Sequence, residues 1–184
     1  GDSTVVDSSD ANFSIKGSLT LTAPNGGQAW AVGTNQNITW TRTGSFANVR
    51  LELSTDGGST YPIEIINLTS ASTGSYSWSI PDNLSQTSRV RVSNASDSTV
   101  NDASNSNFKI VGALTLTAPN GAEGWGVNTA QSITWTRTGS IANVKLEYST
   151  NGGSTYPNQI IASTPAGALS YSWSIPDDLT TQAR

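Results

Sequence analysis

The chain has 184 residues, of which only 12% are charged and 35% hydrophobic, and its formal net charge is −4. It contains no Cys, His or Met, which excludes disulfide bonds, thiol nucleophiles, Cys/His zinc sites and His-based catalytic triads. The acidic balance argues against nucleic acid as a partner. No apolar run approaches the roughly 18–20 residues of a membrane span, so we expect no membrane insertion.

The first residues resemble the end of a repeating unit. Residues 2–17, DSTVVDSSDANFSIKG, align with residues 97–112, DSTVNDASNSNFKIVG. We therefore predict that residues 1–16 form the last strand of a preceding repeat. The apolar side chains of this strand would be Val5, Phe13 and Ile15, and the strand could be donated to a neighbouring copy.

A longer repeat organises the rest of the chain. The stretch from Gly17 to Arg89 recurs from Gly112 to Arg184 without a gap, at an offset of 95 residues. A period of this length is typical of small domains in tandem rather than of solenoid turns. The repeat predicts a complete domain over residues 17–111. It predicts a second domain, without its last two strands, over residues 112–184.

Within the complete copy, apolar and polar residues alternate with a period of two, which is typical of strands with one buried face. The alternation predicts strands around seven segments: 19–22, 38–41, 49–53, 63–66, 75–80, 89–92 and 107–110. No segment has a sustained helical period. Seven short strands separated by Gly, Pro and Asn turns predict an all-β fold with a Greek-key β-sandwich in each repeat.

The hairpin over residues 54–61, STDGGSTY, fits the Asp-box pattern S-x-D-x-G-x-T-aromatic, which looks like the hairpins of sialidase-type propellers. The second copy has Asn151 in place of Asp56, which can shape a turn but cannot act as an acid. Glycoside hydrolysis needs two placed carboxylates, and none recur in both copies except Asp82 and Asp177 in a turn and Glu52 and Glu147 on the solvent face of a strand. We expect a structural turn and no enzymatic activity.

Aromatic residues recur at matched positions in the two copies. Those on the apolar strand faces, Trp40 and Trp78, are expected in the core. Trp30 lies in a loop-like stretch, where it could either close one end of the sandwich or face solvent. If Trp30 faces solvent, it would form a stacking platform for glycans together with three other aromatic residues, Trp125, Tyr61 and Tyr156.

Acidic residues collect before the last predicted strand. Asp97 and Asp102 lie there with Asn and Ser neighbours, and Ca²⁺ prefers six to eight oxygen ligands of these kinds. The spacing matches no EF-hand loop. The segment therefore predicts either a solvated polar loop or a calcium site between domains, and no other cofactor is expected.

The combined pattern LTLTAPNGG, ITWT, STDGGSTY, YSWSIP and RVRVSN resembles the immunoglobulin-like and fibronectin type III-like tandem repeats of large bacterial surface and secreted proteins. Related Ser/Thr-rich domains occur in some fungal cell-wall proteins. The resemblance covers essentially the whole chain and implies an extracellular or cell-surface stalk, spacer, fibre or adhesin module. It implies no catalytic residues. The alternative is a carbohydrate-binding β-sandwich module.

The two ends of the chain leave three alternatives open. The chain could be a window on a longer array, or a subunit whose first strand completes a neighbour by strand addition. It could also be a truncated form with a partly unfolded second domain. In the first two cases the expected partners are neighbouring copies of the same repeat, within one chain or head to tail between chains.

Overall fold

Fourteen β-strands make up most of the ordered structure. A computed structural model describes residues 4–184, and within them it contains these strands and two 3-10 turns, Ala71–Thr73 and Ala166–Ala168. Over that described range, no helix is long and apolar enough to cross a membrane. The prediction of an all-β fold is confirmed.

Nine strands build the first sandwich. They are β1 (Ser18–Ala23), β2 (Ala29–Ala31), β3 (Asn35–Thr43), β4 (Asn48–Ser54), β5 (Ile63–Ser70), β6 (Ser75–Ser79), β7 (Ser85–Asn94), β8 (Asp97–Ala103) and β9 (Phe108–Val111). One sheet has the order β1-β3-β6, and the other has the order β2-β9-β7-β4-β5, with β8 paired to β7. The pairing is antiparallel except between β2 and β9, which run parallel.

The inner faces of the two sheets share one apolar core. Leu21 and Ile38 come from the smaller sheet, Leu51 and Phe108 come from the larger one, and each is at most 1% exposed. The alternation along each strand places every second side chain in this core, as the period of two requires. Burial of apolar area at about 25 cal/mol per Å² is the main stabilising contribution.

Two strands of this sandwich were not among those predicted. β2 lies in the stretch expected to be a loop, and β8 lies in the acidic segment that was also expected to be a loop. Both depend on main-chain pairing with strands that are distant in sequence, β9 for β2 and β7 for β8. β8 places one apolar side chain, Val100, in the core. Its sequence therefore shows little of the apolar–polar alternation from which the other strands were predicted.

Five strands form a second, smaller set of sheets. They are β10 (Ala113–Ala118), β11 (Ala130–Thr138), β12 (Asn143–Tyr148), β13 (Asn158–Pro165) and β14 (Ser170–Ser174). Their orders are β10-β11-β14 and β12-β13. The strand register of the first sandwich recurs here at an offset of 95 residues. Leu21 pairs with Trp40 in the first sandwich, and Leu116 pairs with Trp135 in the second. We refer to these strands as the second sandwich.

The second sandwich has one open face. Leu114 and Leu116 on β10 are 50% and 46% exposed, whereas their counterparts Leu19 and Leu21 are 7% and 1% exposed. In the first sandwich, β7 and β8 lie against β1, and the described residues place no equivalent strand against β10. The same local sequence is therefore covered in one sandwich and open in the other.

Candidate functional site

Trp30 does not contribute to a surface platform. It lies on β2, is only 8% exposed, and packs against Phe108 and Trp78 with ring centroids 5.1 and 6.2 Å apart. Parallel pairing of β2 with β9 directs the indole inward. The interpretation of Trp30 as a glycan-stacking residue is therefore wrong, and the residue closes one end of the core.

The other three predicted stacking residues lie in different surroundings. Trp125 is half-buried and packs edge-on against Trp173 at 6.2 Å, as Trp30 does against Trp78. The Arg91 guanidinium lies 4.4 Å from the ring centroid of Tyr61 and covers one of its faces, and burial raises the pKa of the Tyr61 hydroxyl. Tyr156 is exposed, and a single exposed ring is not a platform.

The two aspartates proposed for calcium already have protein partners. An Asp97 side-chain oxygen accepts hydrogen bonds from the backbone N–H and hydroxyl of Thr99, and the carboxylate pairs with Lys16 at 3.0 Å. These contacts, with Thr99 first, lower the pKa of Asp97 to about 2. Asp102 accepts the backbone N–H of Leu21 at 2.8 Å and thereby ties β8 to β1.

Metal coordination needs several ligands that converge. Within residues 4–184, no group of three or more His, Cys, Asp or Glu side chains is placed to hold a metal ion. Asp97 and Asp102 lie at opposite ends of β8, opposite Asn94 and Val92 of β7 respectively. The contacts of both residues are those of a structural strand.

The predicted donor segment is solvent-exposed. Val5, Phe13 and Ile15 are 81%, 77% and 90% exposed, and residues 4–16 lie in no strand. Residues 1–3 of the segment, including Asp2, lie outside the described residues. A strand requires a neighbour to pair with, so the role of this segment as a donated strand stays a prediction.

The two sandwiches meet at a hydrogen-bonded joint. Asp82, in the turn after β6, accepts the backbone N–H of Ser140 at 2.9 Å through one oxygen and the Ser140 hydroxyl through the other. These hydrogen bonds lower the pKa of Asp82, with a smaller contribution from the charge of Arg137. The Leu84 side chain lies against the adjacent Gly139.

The connection between the sandwiches is short and tightly packed. Only Gly112 separates β9 from β10. A Cβ atom at Gly112 would lie 2.6 Å from the Thr138 carbonyl oxygen and 2.8 Å from the Ile141 side chain. A Cβ atom at Gly17, which precedes β1, would likewise lie 2.3 Å from the Thr43 carbonyl oxygen. The backbone therefore enters each sandwich through a position that only glycine fits.

A charged groove lies on the outer face of the larger sheet. Its volume is about 250 Å³, and Arg50, Glu52 and Arg91 line it together with Ser93 and Ser98. Arg91 donates to one Glu52 oxygen from Nε at 3.1 Å and Nη2 at 2.7 Å, and Arg50 pairs with the other oxygen at 3.1 Å. Glu52 was expected on the solvent face, but its side chain is only 8% exposed because the two arginines cover it.

The Asp-box hairpin has the expected structural role in both copies. Asp56 accepts hydrogen bonds from the Ser54 hydroxyl at 2.6 Å and from the backbone N–H and hydroxyl of Thr60, which hold its pKa well below the usual range. Asn151 makes the corresponding contacts with Ser149 and Thr155. An amide thus replaces the carboxylate without loss of the turn.

Sequence reasoning missed the joint, although a signal was present. Asp82 recurs as Asp177, and Ser45 recurs as Ser140, so each repeat carries both halves of the contact. The two residues of the joint are 58 positions apart, and nothing local connects them. Only recurrence at the same offset of 95 could have drawn attention to them.

The strand order defines an immunoglobulin-like β-sandwich. The three-stranded sheet β1-β3-β6 faces a larger sheet in which β4, β7 and β9 are neighbours, as expected for this class. Residues 23–110 match the family model of the Kre9/KNH-like N-terminal Ig-like domain. The chain therefore contains an Ig-like domain, and the resemblance drawn from the sequence is confirmed at that level.

The chain is also similar to one group of solved structures, the fibronectin(III)-like modules of Clostridium thermocellum CbhA. The identity is 16%, the match covers 85% of this chain and 78% of the other, and the TM-score is 0.30. At so low a TM-score, the assignment of the fold rests on the strand order and the family match. No curated protein matches the chain significantly.

Proposed function

We propose that this chain is a non-enzymatic, extracellular structural protein whose Ig-like domains act as spacers held at a defined joint. The observation that carries the proposal is the contact between Asp82 and Ser140, which fastens one sandwich to the next by two hydrogen bonds. A flexible linker would leave neighbouring domains free to reorient. Here the joint and the one-residue connection oppose such motion.

The chemistry of the domain supports a non-catalytic role. Ig-like and fibronectin type III-like domains are typically non-catalytic. The acidic residues considered above, Asp56, Asp82, Asp97 and Asp102, are engaged in hydrogen bonds that hold the fold together. Side chains that are already committed to structural contacts are poor candidates for acid-base work, which needs a proton acceptor within reach of a substrate.

The family match supports an extracellular location. The Kre9/KNH-like domain is a cell-wall or secreted type of domain. A chain without cysteine gains nothing from an oxidising compartment, so its stability there would rest on packing and hydrogen bonds. We propose a cell-surface or secreted stalk or fibre segment, with head-to-tail assembly through a shared strand as the mode of growth.

The experiment that tests the spacer role measures the distance between the sandwiches. The chain has no native cysteine, so cysteines introduced at the exposed residues Gln86 and Gln159 would be the only sites for spin labels. Double electron–electron resonance at low protein concentration should give one narrow distance distribution. Asp82→Ala should broaden it, whereas Asp177→Ala, the equivalent change outside the joint, should leave it unchanged. A broad distribution in the parent protein would refute the proposal.

The alternative of a carbohydrate-binding module has less support. Its central residue, Trp30, is in the core, and Tyr61 is covered on one face by Arg91. Titration with a broad glycan panel, followed by tryptophan fluorescence, tests it directly. A saturable response that is abolished by Tyr156→Ala but not by Tyr171→Ala would favour this alternative over a purely mechanical role.

A further inference from the structure

We propose that two copies of this chain bind head to tail, with residues 4–16 and the turn at Gly44-Ser45 of one copy docked on the second sandwich of the other. The proposal deepens the structural role given above and rests on it. Its template is the way β8 and β9 cover the first sandwich and lead into the joint, because both halves of that contact, the covering segment and the covered face, recur uncovered in residues 4–16 and on the face of β10.

The first unused half is the exposed N-terminal segment. Its apolar residues Val5, Phe13 and Ile15 are between 77% and 90% exposed. The residues 95 positions later, Val100, Phe108 and Ile110, are at most 8% exposed because β8 and β9 cover the first sandwich. Exposed apolar side chains whose counterparts are buried mark a segment that a neighbouring sheet could cover.

The second unused half is the open face of the second sandwich. Leu114 and Leu116 are about half exposed where Leu19 and Leu21 are covered. Trp125 lies where Trp30 contacts Phe108 in the first sandwich, so a docked Phe13 would meet Trp125. The segment and the face thus match in apolar content and in position.

The polar contacts of the template are also preserved. Asp102 accepts the N–H of Leu21, and the equivalent pair across the proposed interface is Asp7 with Leu116. The packing around two equivalent glycines is consistent with the same docking. A Cβ atom at Gly26 would lie 2.5 Å from the Ser106 side chain. The equivalent Gly121 has nothing within 4 Å of its Cβ position, which leaves room for Ala11 of the docked segment.

The joint supplies a third, independent match. Asp177 and Ser45 correspond to Asp82 and Ser140, and neither side chain has a hydrogen-bond partner within residues 4–184. Leu179 is 86% exposed, whereas its counterpart Leu84 is 38% exposed. A cavity of about 430 Å³ lies beside Gly17, Gly44, Ser45 and Phe46. Gly44 corresponds to Gly139, which contacts Leu84 in the joint, so the cavity lies where Leu179 of a second copy would pack.

All three matches belong to one interface. In the template, β9 continues through Gly112 into β10, so the strand that covers one sandwich leads directly to the next. A copy that donates residues 4–16 would therefore bring its own Ser45 to the partner's Asp177. Such a contact is heterologous, and its repetition produces open chains rather than closed dimers.

The strength of the contact is limited where the docked segment corresponds to β8. In the template, β9 pairs with residues 29–31 and with Ser85 and Ser88 of β7, and the counterparts of these residues are 124–126, Thr180 and Ala183. β8 pairs with residues 91–94 of β7, and no residues of the chain correspond to these, so the first part of the docked segment has no strand of this kind to pair with. The association should accordingly depend on concentration and be weaker than the contact within the chain, which benefits from a high effective concentration.

Introduced cysteines test the register directly. Ala29 pairs with Lys109 in the template, so Ser14→Cys and Gly124→Cys in one chain should be neighbours across the interface. Oxidation should yield a ladder of disulfide-linked oligomers on a non-reducing gel. The control pair, Ser14→Cys with Gln159→Cys, should yield no ladder beyond dimers. A cross-link within single chains would overturn the proposal.

Sedimentation velocity over a range of concentrations provides the second measurement. Phe13→Ala should weaken association at least about tenfold, because a phenylalanine that is 77% exposed in the single chain would become buried on binding. Asp177→Ala should weaken it about tenfold. Both residues are exposed in the single chain, so neither change should alter its unfolding. A protein that stays monomeric at all concentrations and forms no ladder refutes this interface, while the spin-label distances still report on the spacer role.

Discussion

Leu21 and Leu116 stand at equivalent positions, each paired with a tryptophan on the neighbouring strand, yet Leu21 is 1% exposed and Leu116 is 46% exposed. The two leucines lie in the same local sequence, LTLTAPNG. The difference arises because β7 and β8 lie against β1. One chain therefore contains a matched pair that separates the contribution of local sequence from that of tertiary burial.

Replacement of these leucines should have unequal costs. Leu21→Ala should lower the free energy of unfolding of the first sandwich by about 2–5 kcal/mol, because it leaves a cavity in a closed core. Leu116→Ala should cost about 1 kcal/mol or less, since half of its side chain is already hydrated. Hydrogen exchange with mass spectrometry, read separately over residues 18–111 and 113–174, measures both. Equal losses would contradict the difference in burial.

Gly26 and Gly121 offer a second matched pair. Both have positive φ, 121° and 113°, so alanine should introduce similar backbone strain at each. A Cβ at Gly26 would also lie 2.5 Å from the Ser106 side chain, whereas a Cβ at Gly121 meets nothing within 4 Å. Gly26→Ala should therefore lower the melting temperature clearly more than Gly121→Ala, as measured by circular dichroism. Similar losses at the two positions would show that strain, and not the clash, dominates, and the reverse order would contradict the prediction.

The charged groove gives a third comparison between the copies. Glu52 is held by two arginines and its side chain is 8% exposed, whereas Glu147 pairs with Lys145 and is 34% exposed. Glu52→Gln should cost about 1.5–3 kcal/mol, the range for hydrogen bonds to charged groups. Glu147→Gln should cost less than about 1 kcal/mol. Urea unfolding checks this, and high salt should reduce the smaller loss further.

Asp97 should respond to pH in a defined direction. Its pKa in the folded chain is about 2, below the ordinary value of 3.8, so the stability that it contributes is present above pH 3.8 and is lost as the pH falls toward 2. Thr99→Val should raise this pKa more than Lys16→Met, because it removes the hydroxyl hydrogen bond that is the largest cause of the lowering, while the backbone N–H of residue 99 still donates. Carboxyl ¹³C titration by NMR measures each value. A larger shift in the lysine variant would assign the effect to charge instead.

The sequence predicted much of the fold because strand alternation is a local property. The strands around Leu19, Ile38, Leu51 and Val92 could be read from a period of two. β2 could not be predicted in this way, because it is three residues long and exists through parallel pairing with β9. The position of Trp30 depends on that pairing, so its burial could not be predicted from the sequence either.

The candidate site was predicted only in part. The Asp-box turn follows from its own residues, because Asp56, Ser54 and Thr60 lie within seven positions of one another. The joint joins Asp82 to Ser140 across 58 positions. No local spacing rule links two exposed turns at that separation, and their pairing depends on how one sandwich follows the other.

The sequence by itself determined which residues form strands and which face of each strand is apolar, since both follow from side-chain order along the chain. Only the tertiary structure decided which apolar faces are covered. The stretch LTLTAPNG occurs twice, and its leucines are closed off from water at residues 19 and 21 but open at residues 114 and 116. Burial is a relation between a side chain and what lies opposite it, and identical local sequences can therefore have different exposures.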